Sequence, residues 1–494
     1  MLRKWRHAAT LVRIRALYRR RPAQASRHQR SRVAFVTEGQ CRQAGCPAAK
    51  SCPLFRMHCT TMARYPVTGL HKRHTMRRHV TRPSRRRFLR ETGGFAALAA
   101  TIGAPRHLFA AQTPALRIRA VDAYPIYINQ RSDGLLDAPT FSGDDDPRRW
   151  RFGGPFEQLP SAIIAIIKTD QGLTGFGMGA GGSVAVEIID GHLKHLLMGA
   201  NPLNVEQLWD QMYTSGVLYG RRGVFAMALS AVDNALWDIA GKHAGQPVYE
   251  LLGGATRDRI SIYQTGGDVA EGKARGVRHF KRSLPIGPHT SAAEMDRRVE
   301  SVLAARETMG PDGNLMTDCV SRNGTVEWAV PLAERLRSAN LYFMEELLSP
   351  DNVFGYAELV QRIGSRGPGW TKVACGEHEY TEHGFDVLIR LNSAEILQPD
   401  ITWCGGTTAG RRIARLVDVA GLEIIPHRGG SSWGFPIALT SPSCTMAESF
   451  PAGSTILDAM SCTVENGEVM APTGPGFGTT LTEDLVLEHR LTAA

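Results

Sequence analysis

Acidic residues are nearly missing from the first 112 residues of this 494-residue chain: 25 Lys and Arg face only Glu38 and Glu91, a net charge of +23. Since the whole chain carries +11, everything after residue 112 carries −12. The basic character belongs to the leader alone, and the acidic remainder argues against nucleic acid as a partner. Paired cysteines are missing too. Cys41, Cys46, Cys52 and Cys59 fall in the leader without a Cys-x-x-Cys pair, and Cys319, Cys375, Cys404, Cys444 and Cys462 are scattered. An odd, unclustered set is neither a disulfide framework nor a zinc site. No apolar stretch reads as a membrane span of roughly 20 residues, so no stable membrane anchor is expected.

The leader does hold Ser84-Arg85-Arg86-Arg87-Phe88-Leu89-Arg90, followed by the apolar run 94–104 and the small residues Ala110-Ala111. That order matches a twin-arginine export signal over residues 76–111. It implies transient contact with the export machinery and a periplasmic or exported protein, cytoplasmic if the signal is not used. Residues 1–75 read as a basic extension, with Met62 or Met76 as alternative initiators.

The texture changes at Leu116. Residues 117–128 alternate like a strand, 161–168 (SAIIAIIK) read as a buried strand, and a turn and strand follow at 172–177. Helical periods cover 184–198, 204–213 with Asn204 as a candidate N-cap, and 224–244. Strands followed by helices describe a small α+β domain, bounded at 112–254.

Beyond Gly254 short apolar runs alternate with helical stretches, the signature of a parallel sheet. Five runs stop at an ionisable residue: Asp318, Glu345, Glu377, Asp400 and His427, at intervals of 27, 32, 23 and 27 residues. Each interval suits a strand, a helix and two loops. In a closed barrel the C-terminal strand ends open on one face, so these five side chains would converge. Three clustered carboxylates repel one another unless a hard divalent cation neutralises them, and magnesium is the natural choice. Glu346 and Glu379 neighbour two of these acids, but adjacent residues in extended chain point to opposite sides, so neither is expected to bind metal.

The stretch 228–242 (ALSAVDNALWDIAGK), continuing through 245–249 (GQPVY) and 251–254 (LLGG), resembles the helix and linker that enter the barrel in the mandelate racemase branch of the enolase superfamily. The segments FKRSLPIGP, LMTDC, MEELLSPDN, GEHEYT, LQPDITWCGG and IIPHRGGSS look most like the acid-sugar dehydratases of the L-rhamnonate type within it. The resemblance covers about residues 115–490. It implies an α/β chain with an α+β capping domain, a modified TIM barrel of (β/α)7β type at 255–450, and a segment at 451–494 returning to the cap.

Carried over position by position, the resemblance makes Asp318, Glu345 and Glu377 the Mg2+ ligands, His427 the general base and Asp400 its partner carboxylate. His378 becomes a second active-site histidine, and Glu448 the acid that hydrogen-bonds the developing enolate. The reaction implied is abstraction of the proton alpha to a carboxylate and loss of the 3-hydroxyl, giving a 2-keto-3-deoxy acid. Racemases of this kind place Lys-x-Lys after the second barrel strand, but Lys281-Arg282-Ser283 stands here. That departure favours a one-base dehydratase and frees Lys281 or Arg282 to bind the substrate carboxylate. A capping loop over 130–155 carries Arg148 and Arg149, candidate contacts to the sugar acid, and lacks the histidine expected of rhamnonate enzymes. The rival readings are a racemase or epimerase of acid sugars on the same scaffold and a periplasmic sugar-acid binding protein without turnover. Self-association into a homo-oligomer is expected, as symmetric oligomers are common in the superfamily.

Overall fold

A period of two in apolar residues gives the first sheet. β1 (Ile118–Ile126), β2 (Ala162–Thr169) and β3 (Thr174–Ala180) pair antiparallel in that order. The computed structural model describes residues 115–126, 162–321, 324–364, 370–450 and 455–491. The export stretch and the loop bearing Arg148 and Arg149 lie outside them. After β3 come α1 (Gly182–Ile188), which runs on through a π turn, then α2 (Val205–Gly216) and α3 (Val224–Ala244). Asn204 does stand before α2, but its side chain makes no capping bond and lies 3.4 Å from Gln207 instead.

α3 is long and apolar enough to pass for a membrane span by length and composition, yet it is the buried core helix of this domain. It lies flush on β3, whose alternate residues are Gly175, Gly177 and Gly179. A Cβ at any of them would collide with the helix at Ala235, Ala231 or Met227. The polar residues of α3 are equally placed. Asp233 accepts from Thr408 N at 2.8 Å and Asn234 from Thr407 N at 3.0 Å. They cap a barrel helix, Gly406–Ala420, whose own N-cap is Gly405 and brings no side chain. Ser230 Oγ accepts from Gly405 N at 2.8 Å. The α3 motif thus fixes the loop that carries Asp400 and Trp403.

The barrel strands are β4 (Arg259–Thr265), β5 (His279–Ser283), β6 (Leu315–Asp318), β7 (Leu341–Glu345), β8 (Lys372–Cys375), β9 (Ile396–Leu397), β10 (Glu423–Ile424) and β11 (Ala447–Ser449). The helices between them are α4 (Val269–Ala274), α5 (Ala292–Met309), α6 (Val326–Arg335), α7 (Val353–Arg362), α8 (Thr381–Arg390), α9 (Gly406–Ala420) and α10 (Phe435–Thr440). Neighbours from β4 to β10 pair parallel in chain order, Cys444 bridges Ile424, and β11 pairs with β4. The row therefore returns to its start, as a (β/α)7β barrel does. β9 and β10 keep only two ladder residues each. Pro399 and Pro426 follow them and have no N–H to extend the ladder.

Inside the barrel, Tyr263, Met316, Phe343, Ala374, Ile396, Ile425 and Met446 form one apolar layer. Side chains of a strand return to the same face every second residue. The next inward positions are therefore Thr265, Asp318, Glu345, Gly376, Gln398, His427 and Glu448, and one pleat turns an apolar floor into an acidic mouth. The C-terminal residues 455–491 touch both domains. β13 (Glu468–Met470), preceded by the short β12 (Val464–Glu465), pairs with β4, while Glu483 pairs with Lys168 at 2.7 Å and Leu491 N donates to Pro125 O at 2.8 Å.

Candidate active site

Asp318 and Glu345 end β6 and β7, and Glu377 lies two residues past β8. One carboxylate oxygen from each sits within 4.8 Å of the others. Burial pushes the Glu345 and Glu377 carboxyls well above their ordinary value and raises Asp318, and neighbouring acids push all three the same way. Glu377 Oε2 is buried without a hydrogen-bond partner among the described residues. Three converging hard oxygen donors, one of them unpaired, fit Mg2+.

Lys281 lies beneath this triad, 1 % exposed. Its Nζ is 2.8 Å from Glu345, 2.9 Å from Glu448 and 3.5 Å from Asp318. Burial opposes its charge, but Glu345 and Glu448 outweigh that and hold the ammonium well above its usual range. Arg282, the alternative substrate contact, is not brought into the cluster. As the next residue on the strand it projects to the other side, and Nη1 is tied to Gly267 O at 2.7 Å.

Opposite the triad, His427 Nδ1 is 2.7 Å from Asp400 Oδ2. Burial would raise the Asp400 carboxyl, but His427, Arg428 and Thr402 hold it below its ordinary value. Thr402 N and Oγ1 both donate to Asp400 Oδ1 at 2.6 Å. An Nδ1 proton shared with Asp400 leaves Nε2 for the cavity, 3.6 Å from Glu377 Oε2 and 3.8 Å from Glu448 Oε2. Glu448 accepts from Thr265 Oγ1 and, at 2.8 Å, from Arg428 N. Against the penalty of burial, Lys281 and His427 bring its carboxyl down to about 2. Lys281 is the hydrogen-bond donor on the far side of the Glu448 carboxylate, 2.9 Å away.

His378 has a partner of its own: Nδ1 is 2.6 Å from Glu346 Oε1. Alternation did not anticipate this. Glu346 adopts a left-handed φ of 50°, which breaks the extended chain and turns its carboxyl back toward the site. Glu346, Glu377 and His378 consequently form a second group of close donor atoms. Glu379 leaves the site, reaching Arg222 at 3.2 Å. Two further residues carry no signal beyond their place in the strand-end repeat. Trp403 stands between the histidines, its ring centroid 5.6 Å from that of His378 and 5.2 Å from that of His427. The Gln398 amide is wholly buried in the acidic layer without a partner among the described residues.

Comparisons with known proteins agree with this geometry. Residues 156–253 match the model of the mandelate racemase / muconate lactonizing enzyme N-terminal domain, and 267–485 that of the enolase C-terminal domain-like family. The chain is 34% identical over 336 residues to an L-rhamnonate dehydratase of Saccharopolyspora erythraea, covering 66% of this chain and 85% of that one. Among solved structures it is similar to the rhamnonate dehydratase of Gibberella zeae complexed with Mg, with a TM-score of 0.65 and 27% identity over 77% of this chain and 97% of that one. It is also similar to the 3,6-anhydro-D-galactonate cycloisomerase of Zobellia galactanivorans, with a TM-score of 0.64 and 26% identity over 76% of this chain and all of that one.

Proposed function

We propose that this chain, which belongs to the enolase superfamily, dehydrates an aldonate resembling L-rhamnonate to the 2-keto-3-deoxy acid. The observation that carries the reading is the Asp400–His427 pair, whose free Nε2 faces the carboxylate triad from 3.6 Å. Asp318, Glu345 and Glu377 would hold Mg2+, whose charge would offset the negative charge that develops beside the substrate carboxylate. His427 takes the C2 proton, and Asp400 stabilises the resulting imidazolium. The same proton then passes to the departing 3-hydroxyl, so that water leaves and an enol remains, which tautomerises to the ketone. Lys281 and Glu448 hold each other on the side of the developing negative charge, and His378, oriented by Glu346, faces the substrate across Trp403.

The absence of Lys-x-Lys favours one base over the two that racemisation needs. A carboxylate-poised imidazole also argues against a binding protein, because capture of a ligand requires no base. A fold shared with a cycloisomerase keeps epimerisation or cyclisation as the second reading. The test is a screen of residues 112–494 with magnesium against aldonic and aldaric acids, read as 2-keto-3-deoxy acid. Solvent deuterium entering C2 without dehydration would move the assignment to a racemase or epimerase, and silence in both assays to a binding protein. We also assign residues 76–111 to twin-arginine export and the mature chain to a homo-oligomer. N-terminal sequencing of exported protein and light scattering test these two assignments.

A further inference from the structure

The residue after the base, Arg428, helps hold Asp400 ionised and gives its backbone N–H to Glu448, but the hydrogen-bonding capacity of its guanidinium is not used by the chemistry above. Arg428 is a non-glycine residue at φ 55°, and its backbone N–H is clamped to Glu448 Oε2 at 2.8 Å. Its guanidinium carbon lies 5.7 Å from the centroid of Trp403 and 5.9 Å from that of Phe450. Trp403 is the ring set between the two histidines, and Phe450 stands edge-on to His427 at 6.3 Å while being 45 % exposed. Among the described residues no carboxylate forms an ion pair with Arg428, and its guanidinium makes no hydrogen bond. A cation held by aromatic rings keeps its in-plane N–H groups for a planar pair of oxygens.

The order of groups indicates what that pair is. A dication held by the triad would take the substrate carboxylate, which would set C2 and C3 against His427. The rest of the carbon chain would then run past His427 on the side of Trp403 and the exposed Phe450, the two rings that Arg428 packs against. We propose that Arg428 grips a pair of oxygens at the far end of the substrate, beyond C3, and so selects acid sugars long enough to reach it. Vicinal hydroxyls of an aldonate and the terminal carboxylate of an aldarate share this chemistry. The proposal rests on the acid-sugar reading.

Calorimetric titration of the magnesium-loaded protein with a six-carbon aldonate, a six-carbon aldarate and a four-carbon aldonate tests it. Arg428→Met is expected to weaken six-carbon ligands about tenfold or more and to leave the four-carbon acid within about twofold. Arg428→Lys, which keeps the positive charge near Asp400, should fall between, and in that variant KM should rise with kcat nearly kept. A larger loss on the aldarate identifies a second carboxylate as the ligand, and an equal loss identifies hydroxyls. Unfolding midpoints and metal content verify the variants, and Phe450→Leu, which removes one of the holding rings, should reproduce a weaker form of the same length dependence. Equal weakening of short and long acids, or none, overturns the proposal while leaving the function standing. A wild-type protein that binds no acid sugar sinks both.

Discussion

The two ends of the barrel are built from the same strands and treat charge in opposite ways. At the N-terminal end Glu423 is fully matched: Lys372 Nζ lies 2.7 Å away, Tyr342 OH donates to the same carboxylate at 2.7 Å, and Thr445 donates as well. Lys372 also sits 4.2 Å over the Tyr342 ring. At the C-terminal end Asp318, Glu345 and Glu448 crowd around one fully buried cation, Lys281, with Glu377 beside them and Asp400 paired to His427. One end spends its polar groups on each other and the other leaves them for a ligand. The lower network belongs to stability and the upper one to chemistry.

Substitutions at the two ends should therefore separate activity from folding. The largest effect is expected from His427→Asn, which keeps an N–H donor toward Asp400 and removes the proposed base: turnover should fall by about a thousandfold or more with little change in melting temperature. Near-normal turnover in this variant would falsify the base assignment. Next comes Glu345→Gln, which removes a ligand and the main partner of Lys281. Magnesium affinity measured by calorimetry should drop by at least about tenfold, and activity with it. At the other end Lys372→Met leaves Glu423 half-buried with only its hydroxyl donors. It should destabilise the fold by about 2 kcal/mol in denaturant titration while kcat/KM on the intact fraction stays put. Loss of activity without loss of stability at Lys372 would erase the distinction between the two ends.

Most of the mouth was legible because a barrel repeats. Asp318, Glu345, Glu377, Asp400 and His427 announce themselves by spacing; for Asp318, Glu345 and His427 the pleat sets each two residues above an apolar neighbour, while Glu377 and Asp400 lie just past the inward positions of Gly376 and Gln398. What spacing could not show were departures from regular chain. Glu346 reaches His378 through a left-handed residue, and no pattern of apolar residues encodes that φ. Lys281 is by its sequence position a candidate for the substrate carboxylate, and spacing gives no hint of the three acids from β6, β7 and β11 that surround it. The role of Asp233 and Asn234 was equally hidden. They lie on an apolar helix as polar exceptions, and only the uncapped start of α9 explains them.

The crowding of acids at the upper end also sets a pH dependence, the smallest of the expected effects. Asp318, Glu345 and Glu377 have folded values above their ordinary ones, chiefly through burial. The folded metal-free protein thus holds protons that the unfolded chain releases. Stability from these groups is complete at low pH and is lost as pH rises from the ordinary carboxylate range through the raised values. Asp400 and Glu448 are displaced downward, so their contributions vary only below about pH 4.5, outside the window that matters. A bound dication favours the ionised carboxylates and removes the penalty. In calorimetric scans between about pH 5.5 and pH 8, the melting temperature in EDTA should fall relative to that in magnesium, and the gap should widen with pH. A constant or narrowing gap would mean that the triad is already ionised without metal, and that Lys281 alone compensates the acids around it.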